Sequence, residues 1–319
     1  MPIPSSGAIS MSMFNTELGR TSNTANSSLA GGTTPAVGSL FWLANQSGSL
    51  NQTAPHAMSE WYGYSATPSP LVVYNFASGQ SWDGTGTTAV NLGSGGSTYN
   101  APISGSPSYS SGTCALPEIC GAFDSNGSTG RILVPGTSTL YSSNFTWIVY
   151  HYPNINGTGF YSLMWSEAGT KNFLWAYSNV GNYTSPSTPT YARIDTPSTV
   201  YYSTDSGTQS NGFGGVGGYL QAYATASAAV LVKNGTSFIQ YYYSSLGGFE
   251  PTLKKVWEVT ISDWSIGSTS QALAIGARND GNFMMDQYLY GAEIYTTNLS
   301  EAQITNVVEN FGNGLYSCC

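Results

Sequence analysis

Two carboxylates sharing one strand face, roughly 5–5.5 Å apart, are what a retaining glycosidase needs for its acid and its nucleophile. The candidate pairs in this chain are Glu258 with Asp263 and Asp286 with Glu293. Both separations are odd, so each pair falls on opposite faces of a regular strand, where side chains alternate. There is no Glu-x-Asp-x-Glu run that would stack carboxylates on one face. A serine triad has no better support: His56 and His151 are the only histidines, and the abundant serines give no diagnostic spacing. The expectation is a protein without catalytic residues, not an enzyme.

Hard oxygen ligands for calcium are available in Asn279-Asp280-Gly281-Asn282 and in Asp124-Ser125-Asn126-Gly127. The same Asx-Gly sequences are turn formers, and the turn is the favoured reading. No cofactor is expected, with Ca2+ as the alternative. Cys114 and Cys120 bracket a short loop whose closure as a disulfide contributes about 2–3 kcal/mol in the chain-entropy model. Cys318 and Cys319 are adjacent. Bridge and free thiol both stay open for these cysteines; neither pair has zinc spacing.

Glycan recognition needs other groups: aromatic faces for sugar rings and hydroxyls or amides for hydroxyls. Only 8% of residues are charged, against roughly 25% in an ordinary soluble protein. Gly, Ser, Thr, Asn and Tyr fill the gap. Tyr201-Tyr202 and Tyr241-Tyr242-Tyr243 place rings on both faces of a strand, so some are expected to be exposed. Glycan stacking and packing against another subunit both account for them, since interfaces also favour Tyr. No individual ligand-binding residue is assigned.

The chain carries 8 basic and 16 acidic residues, a formal charge of −8. Without a basic stripe, nucleic acid is not an expected partner. No apolar run approaches the roughly 20 residues of a membrane span. Met1-Pro2-Ile3-Pro4 lacks the basic and apolar regions of a signal peptide.

These residues need elements to hold them. Ser65-Ala66-Thr67-Pro68-Ser69-Pro70 reads as a short stiff linker between residues 1–64 and 71–319. Three short segments precede it, Ser12–Leu18, Leu40–Ala44 and Ala57–Tyr64. They carry too little apolar content for a core and are expected to pack against either the sandwich or a partner protein, with anchoring on a partner the favoured reading. Beyond the linker, strands are expected at Leu71–Phe76, Phe145–His151, Phe160–Trp165, Asn172–Tyr177, Ala228–Val232, Phe238–Tyr243, Val256–Ile261, Ala272–Ile275 and Tyr288–Tyr295. Asn234-Gly235 should form the centre of a tight hairpin. The Ser/Thr/Pro/Gly-rich stretch from Tyr177 to Gly218 is expected to form loops at one rim. Ser300 and Gln303 suit a capping box opening a helix, with Leu299 and Ile304 as its hydrophobic staple. Ile304, Val307, Val308 and Phe311 share its apolar face, and Gly312 or Gly314 should end it. Many strands with one late helix give a mainly β fold: a large antiparallel β-sandwich with a short C-terminal helix, preceded by a small irregular or helical segment.

The C-terminal residues Ala274–Asp280, Gln287–Ile294 and Leu299–Glu301 resemble the end of a laminin-G-like or concanavalin A-like sandwich. Trp82–Gly86, Gly121–Asp124, Phe145–Trp147 and Val232–Gly235 extend that resemblance, which implies a jelly-roll lectin fold. Ile3–Ser10 with Asn15–Arg20, and Ala54–Tyr64, look like the leader of tailed-bacteriophage virion proteins. Together the resemblances imply a virion structural protein: a tail fibre, head fibre or capsid decoration. Residues 1–64 would bind other virion proteins, and the sandwich would face outward to host-surface or environmental glycans. The protein would be made in the host cytoplasm, displayed on the virion surface and homo-oligomeric. The alternatives are a purely structural cementing protein and a glycan depolymerase.

Overall fold

The computed structural model describes residues 68–110, 121–124, 130–141, 144–153, 159–166, 174–179, 190–195, 200–202, 227–244, 252–262, 264, 272–276 and 287–315. The chain divides into two compact units, Met1–Pro68 with Ser300–Val307, and Ser69–Leu299 with Val308–Cys319. The second unit holds every strand described here.

Those strands form two antiparallel sheets of eight. The first contains β1 (Val72–Asn75), β4 (Ser108–Ser110), β5 (Ala122–Asp124), β7 (Asn144–Pro153), β12 (Ser227–Asn234), β13 (Ser237–Ser244), β14 (Thr252–Thr260) and β16 (Gln287–Tyr295). Its order is β14-β13-β12-β7-β16-β5-β4, with β1 also paired to β16. The second contains β2 (Thr88–Ala89), β3 (Ala101–Ser104), β6 (Arg131–Val134), β8 (Gly159–Ser166), β9 (Leu174–Asn179), β10 (Thr190–Asp195), β11 (Val200–Tyr202) and β15 (Leu273–Ile275). It runs β11-β10-β9-β8-β15-β6-β3-β2.

One continuous core joins the sheets, so the fold is an antiparallel β-sandwich. Phe145, Trp147 and Val149 of β7 and Leu231 of β12 meet Met164, Trp175, Ile194 and Ile275 from the second sheet. Phe145 and Trp147 stack with ring centres 4.1 Å apart. All nine strands expected from the sequence are present, with ends shifted by a few residues.

The first sheet is buried on its other face as well. Ile148, Tyr150, Val230, Tyr243 and Tyr295 alternate with the core residues and are also buried. That explains why β12, Ser227–Asn234, reads as a run of apolar residues rather than an alternation: a strand covered on both sides has no wet face to mark. Part of the cover is Phe311, near the end of the last helix, α1 (Glu301–Leu315). Phe311 lies flat on Tyr150, with ring centres 3.6 Å apart and planes 5° apart. Gly291 makes room for this: a Cβ there would stand 2.8 Å from the Phe311 ring and 2.6 Å from the Tyr74 carbonyl oxygen.

Four expectations need correction. The stretch from Tyr177 to Gly218 is not loop throughout: β10 and β11 lie within it and extend the second sheet. Tyr241, Tyr242 and Tyr243 are all buried, because both faces of their sheet are covered. The α1 helix runs past Gly312 and Gly314 to Leu315; glycine permits a helical stop without enforcing one. The hairpin turn is displaced by one residue. Asn234 still pairs with Ser237, leaving Gly235 and Thr236 as the turn.

Candidate functional site: the outer rows of the second sheet

With the first sheet covered on both sides, the second sheet becomes the place to look for a binding face. At its β8–β11 end the pairing fixes which residues share a row. Met164, Trp175, Ile194 and Tyr201 are cross-strand partners. Met164, Trp175 and Ile194 are buried in the sandwich core. Positions alternate between faces along a strand, so the rows on either side belong to the opposite face of the sheet. One of these rows is Ser162–Ala176–Arg193–Tyr202, and the other starts from Trp165 and Leu174 and continues through Asp195 to Val200. A register shift between Ser162 and Met164 absorbs Leu163 and keeps both rows aligned.

The register places an arginine, an aspartate, a tryptophan and a tyrosine of three strands, β8, β10 and β11, in these two rows. Neighbouring strands are about 4.8 Å apart and alternate residues about 7 Å apart, spacings of the order of one sugar ring. A guanidinium offers five donors, a carboxylate only acceptors, and the aromatic positions offer flat apolar faces.

The carboxylates weighed for catalysis are placed differently. Glu258 lies exposed on β14, accepting from Ser237 Oγ at 2.9 Å and paired with Lys255. The Lys255 bond, then that from Ser237, holds its carboxyl below the usual range. Glu293 is buried on the covered face of the first sheet. Tyr150 donates to its Oε1 at 3.3 Å and Tyr295 donates to Oε2. Burial raises its pKa to about 7 against the lowering effect of those two bonds. Burial, and then the charge of Glu293, push both phenols well above their ordinary value. Glu293 is thus a closed, hydrogen-bonded group on a covered face. Asp263 and Asp286, the other members of the two pairs, lie outside the described residues.

Asp124 belongs to β5 and accepts from Ser108 Oγ at 3.4 Å. The rest of its Asx-Gly run and all of Asn279–Asn282 fall outside the described residues, as do His56 and the four cysteines. His151 is buried within β7. Among the described residues no three His, Cys, Asp or Glu side chains cluster to hold a metal ion. The Trp82–Gly86 segment serves structure. Asp83 Oδ1 accepts from Thr85 N at 3.0 Å and from its hydroxyl at 2.6 Å, closing an Asx turn. The Trp82 ring packs edge-on against Tyr109, 6.1 Å away.

No known protein family and no curated protein matches the chain. Among solved structures it is similar to the binding domain of botulinum neurotoxin serotype D/C, at 10% identity and a TM-score of 0.44, over 76% of this chain and 52% of that one. It is also similar to domain 4 of AbnA, an extracellular arabinanase from Geobacillus stearothermophilus, solved with arabinotriose. There the identity is 12% and the TM-score 0.46, over 76% of this chain and 98% of that one. The chain spans about half the length of the neurotoxin domains it matches. The likeness is loose, and the functional reading rests on this chain's own sheets.

Proposed function

We propose that this protein is a recognition module that binds glycans on the outer face of β8–β11 and breaks no bond. The observation that carries the reading is the pair of cross-strand rows that align Trp165, Arg193, Asp195 and Tyr202 on one face. The low charge of the chain supports it, since a surface of hydroxyls, amides and aromatics suits a neutral polyhydroxyl ligand. The resemblance of residues 1–64 to a phage leader gives the setting. The laminin-G-like sandwich is displayed on a virion, as tail fibre, head fibre or capsid decoration. Many copies on one particle would compensate for weak single sites.

Binding of the purified chain to an immobilised panel of bacterial and environmental glycans tests this, comparing wild type with Trp165→Ala and Arg193→Ala. Loss of stacking on an aromatic or of a charged hydrogen bond is expected to weaken binding about tenfold, with melting temperatures unchanged. Undiminished binding by both variants would sink the site. Release of new reducing ends from a bound glycan would make the protein a depolymerase instead. Absence of the protein from purified virions would remove the setting without touching the site.

A further inference from the structure

Gln240 occupies an unusual place. It lies on β13 in the row Trp147–Leu231–Gln240–Trp257, whose first two members belong to the apolar core between the sheets. Its neighbours on the same face, Phe238 and Tyr242, are core residues too. The residue is fully buried, yet neither its amide nitrogen nor its amide oxygen has a hydrogen-bond partner. A primary amide has two donors and two acceptor sites, and leaving them dry in an apolar interior is strongly unfavourable. Beside it the ladder is broken. Between Gln240 and Tyr241 the partner jumps from Trp257 to Lys255, so Val256 is passed over, and such a bulge leaves its extra residue outside the ladder. The facing sheet contributes a second orphan to the same core, the indole Nε1 of Trp175.

We infer that the sandwich encloses an ordered water site at Gln240. The occupant has to donate to the amide oxygen and accept from the amide nitrogen, which a hydroxyl group does and a cation or an apolar molecule does not. Full burial of the residue favours solvent trapped on folding over a ligand that enters from outside. A buried water of this kind usually makes about three hydrogen bonds, and the unpartnered oxygen and nitrogen of the Gln240 amide supply two of them.

A crystal structure of the full chain at about 1.5 Å, grown without glycerol or other polyols, is the direct test. A spherical density peak about 2.7–3.2 Å from the Gln240 amide is expected. An empty interior there, or density that arises only when a polyol is added, overturns the assignment to water. Gln240→Met, close in size but without the amide, supplies a second readout. With water bound at Gln240, the variant strands that water and its folding equilibrium constant should fall about tenfold. If the amide were dry, the variant would be as stable as wild type or more so, and the inference fails. Should the variant not fold, long-lived internal water measured by oxygen-17 relaxation on the wild-type protein replaces this arm.

Discussion

Glu293 shows how far a single residue can couple this fold to pH. Its carboxyl sits beneath the covered face of the first sheet, with the Tyr150 and Tyr295 hydroxyls as its donors. Its cross-strand neighbours, Val73 and Ile148, carry no charge. On the last helix Glu309 accepts from Tyr243 at 3.4 Å. The folded-state pKa is raised to about 7 from 4.5. The unfolded chain therefore loses this proton first as pH rises, and stability falls between about pH 4.5 and pH 7 before levelling off. The shift corresponds to about 3 kcal/mol. Urea unfolding at pH 5 and pH 8 should show that loss in wild type and little of it in Glu293→Gln; equal slopes in the two proteins would refute the assignment. Gly291, nearby on the same strand, gives a steric prediction. Its added Cβ would press on the Tyr74 carbonyl and the Phe311 ring. Gly291→Ala should therefore cost about 1–3 kcal/mol by overpacking, read as a lower melting temperature.

At the scale of elements, the helix start was fully legible and the hairpin nearly so. Ser300 N donates to Gln303 Oε1 at 2.9 Å and Gln303 N donates to Ser300 Oγ at 3.3 Å, the reciprocal pair that the S-x-x-Q sequence implies. The hairpin was legible as a turn but not to the residue. Gly235, at φ +60°, takes the first turn position, followed by the β-branched Thr236. Glycine first suits a type II′ turn, whereas type I′ would force Thr236 to positive φ as well. Asn144 Oδ1 accepts from Gly235 N at 2.9 Å and helps hold that position. Gly235→Val should destabilise by at least about 1 kcal/mol through backbone strain alone, since no atom lies within 4 Å of the added Cβ; Gly235→Asn should be better tolerated. A chemical-denaturation pair would show the order. Long strands such as β7 and β16 were legible because nine or ten residues carry enough apolar pattern. β2, with two residues, and β4, with three, are too short to carry one, although each pairs with the strand that follows it, β3 and β5.

The whole molecule explains why the candidate site was not legible. Arg193, Asp195 and Tyr202 sit in a stretch whose composition suggests loop, and only pairing with β9 aligns them with Trp165. The tyrosine run at Tyr241–Tyr243 misled for the complementary reason: exposure is decided by what covers a sheet, and nothing local in β13 reports that its outer side is covered. The burial of the first sheet on both faces has a measurable consequence. β7 lies near the middle of the first sheet, flanked by β12 and β16, with buried residues on both faces. Opening those amides to solvent requires losing the core and the outer cover together. Among the described residues β11 is an edge strand, three residues long and paired only with β10. Local opening there sacrifices little buried surface, and exchange protection tracks the free energy of the smallest opening that exposes an amide. Native-state hydrogen exchange should therefore find the slowest amides in β7, β12 and β16, exchanging only by global unfolding, and fast exchange in β11. Adding a glycan that binds the outer face of β8–β11 should slow β10 and β11 selectively and leave β7 unchanged. Uniform slowing across both sheets would point to general stabilisation away from these rows, and slowing confined to the first sheet would move the ligand to the other side of the sandwich.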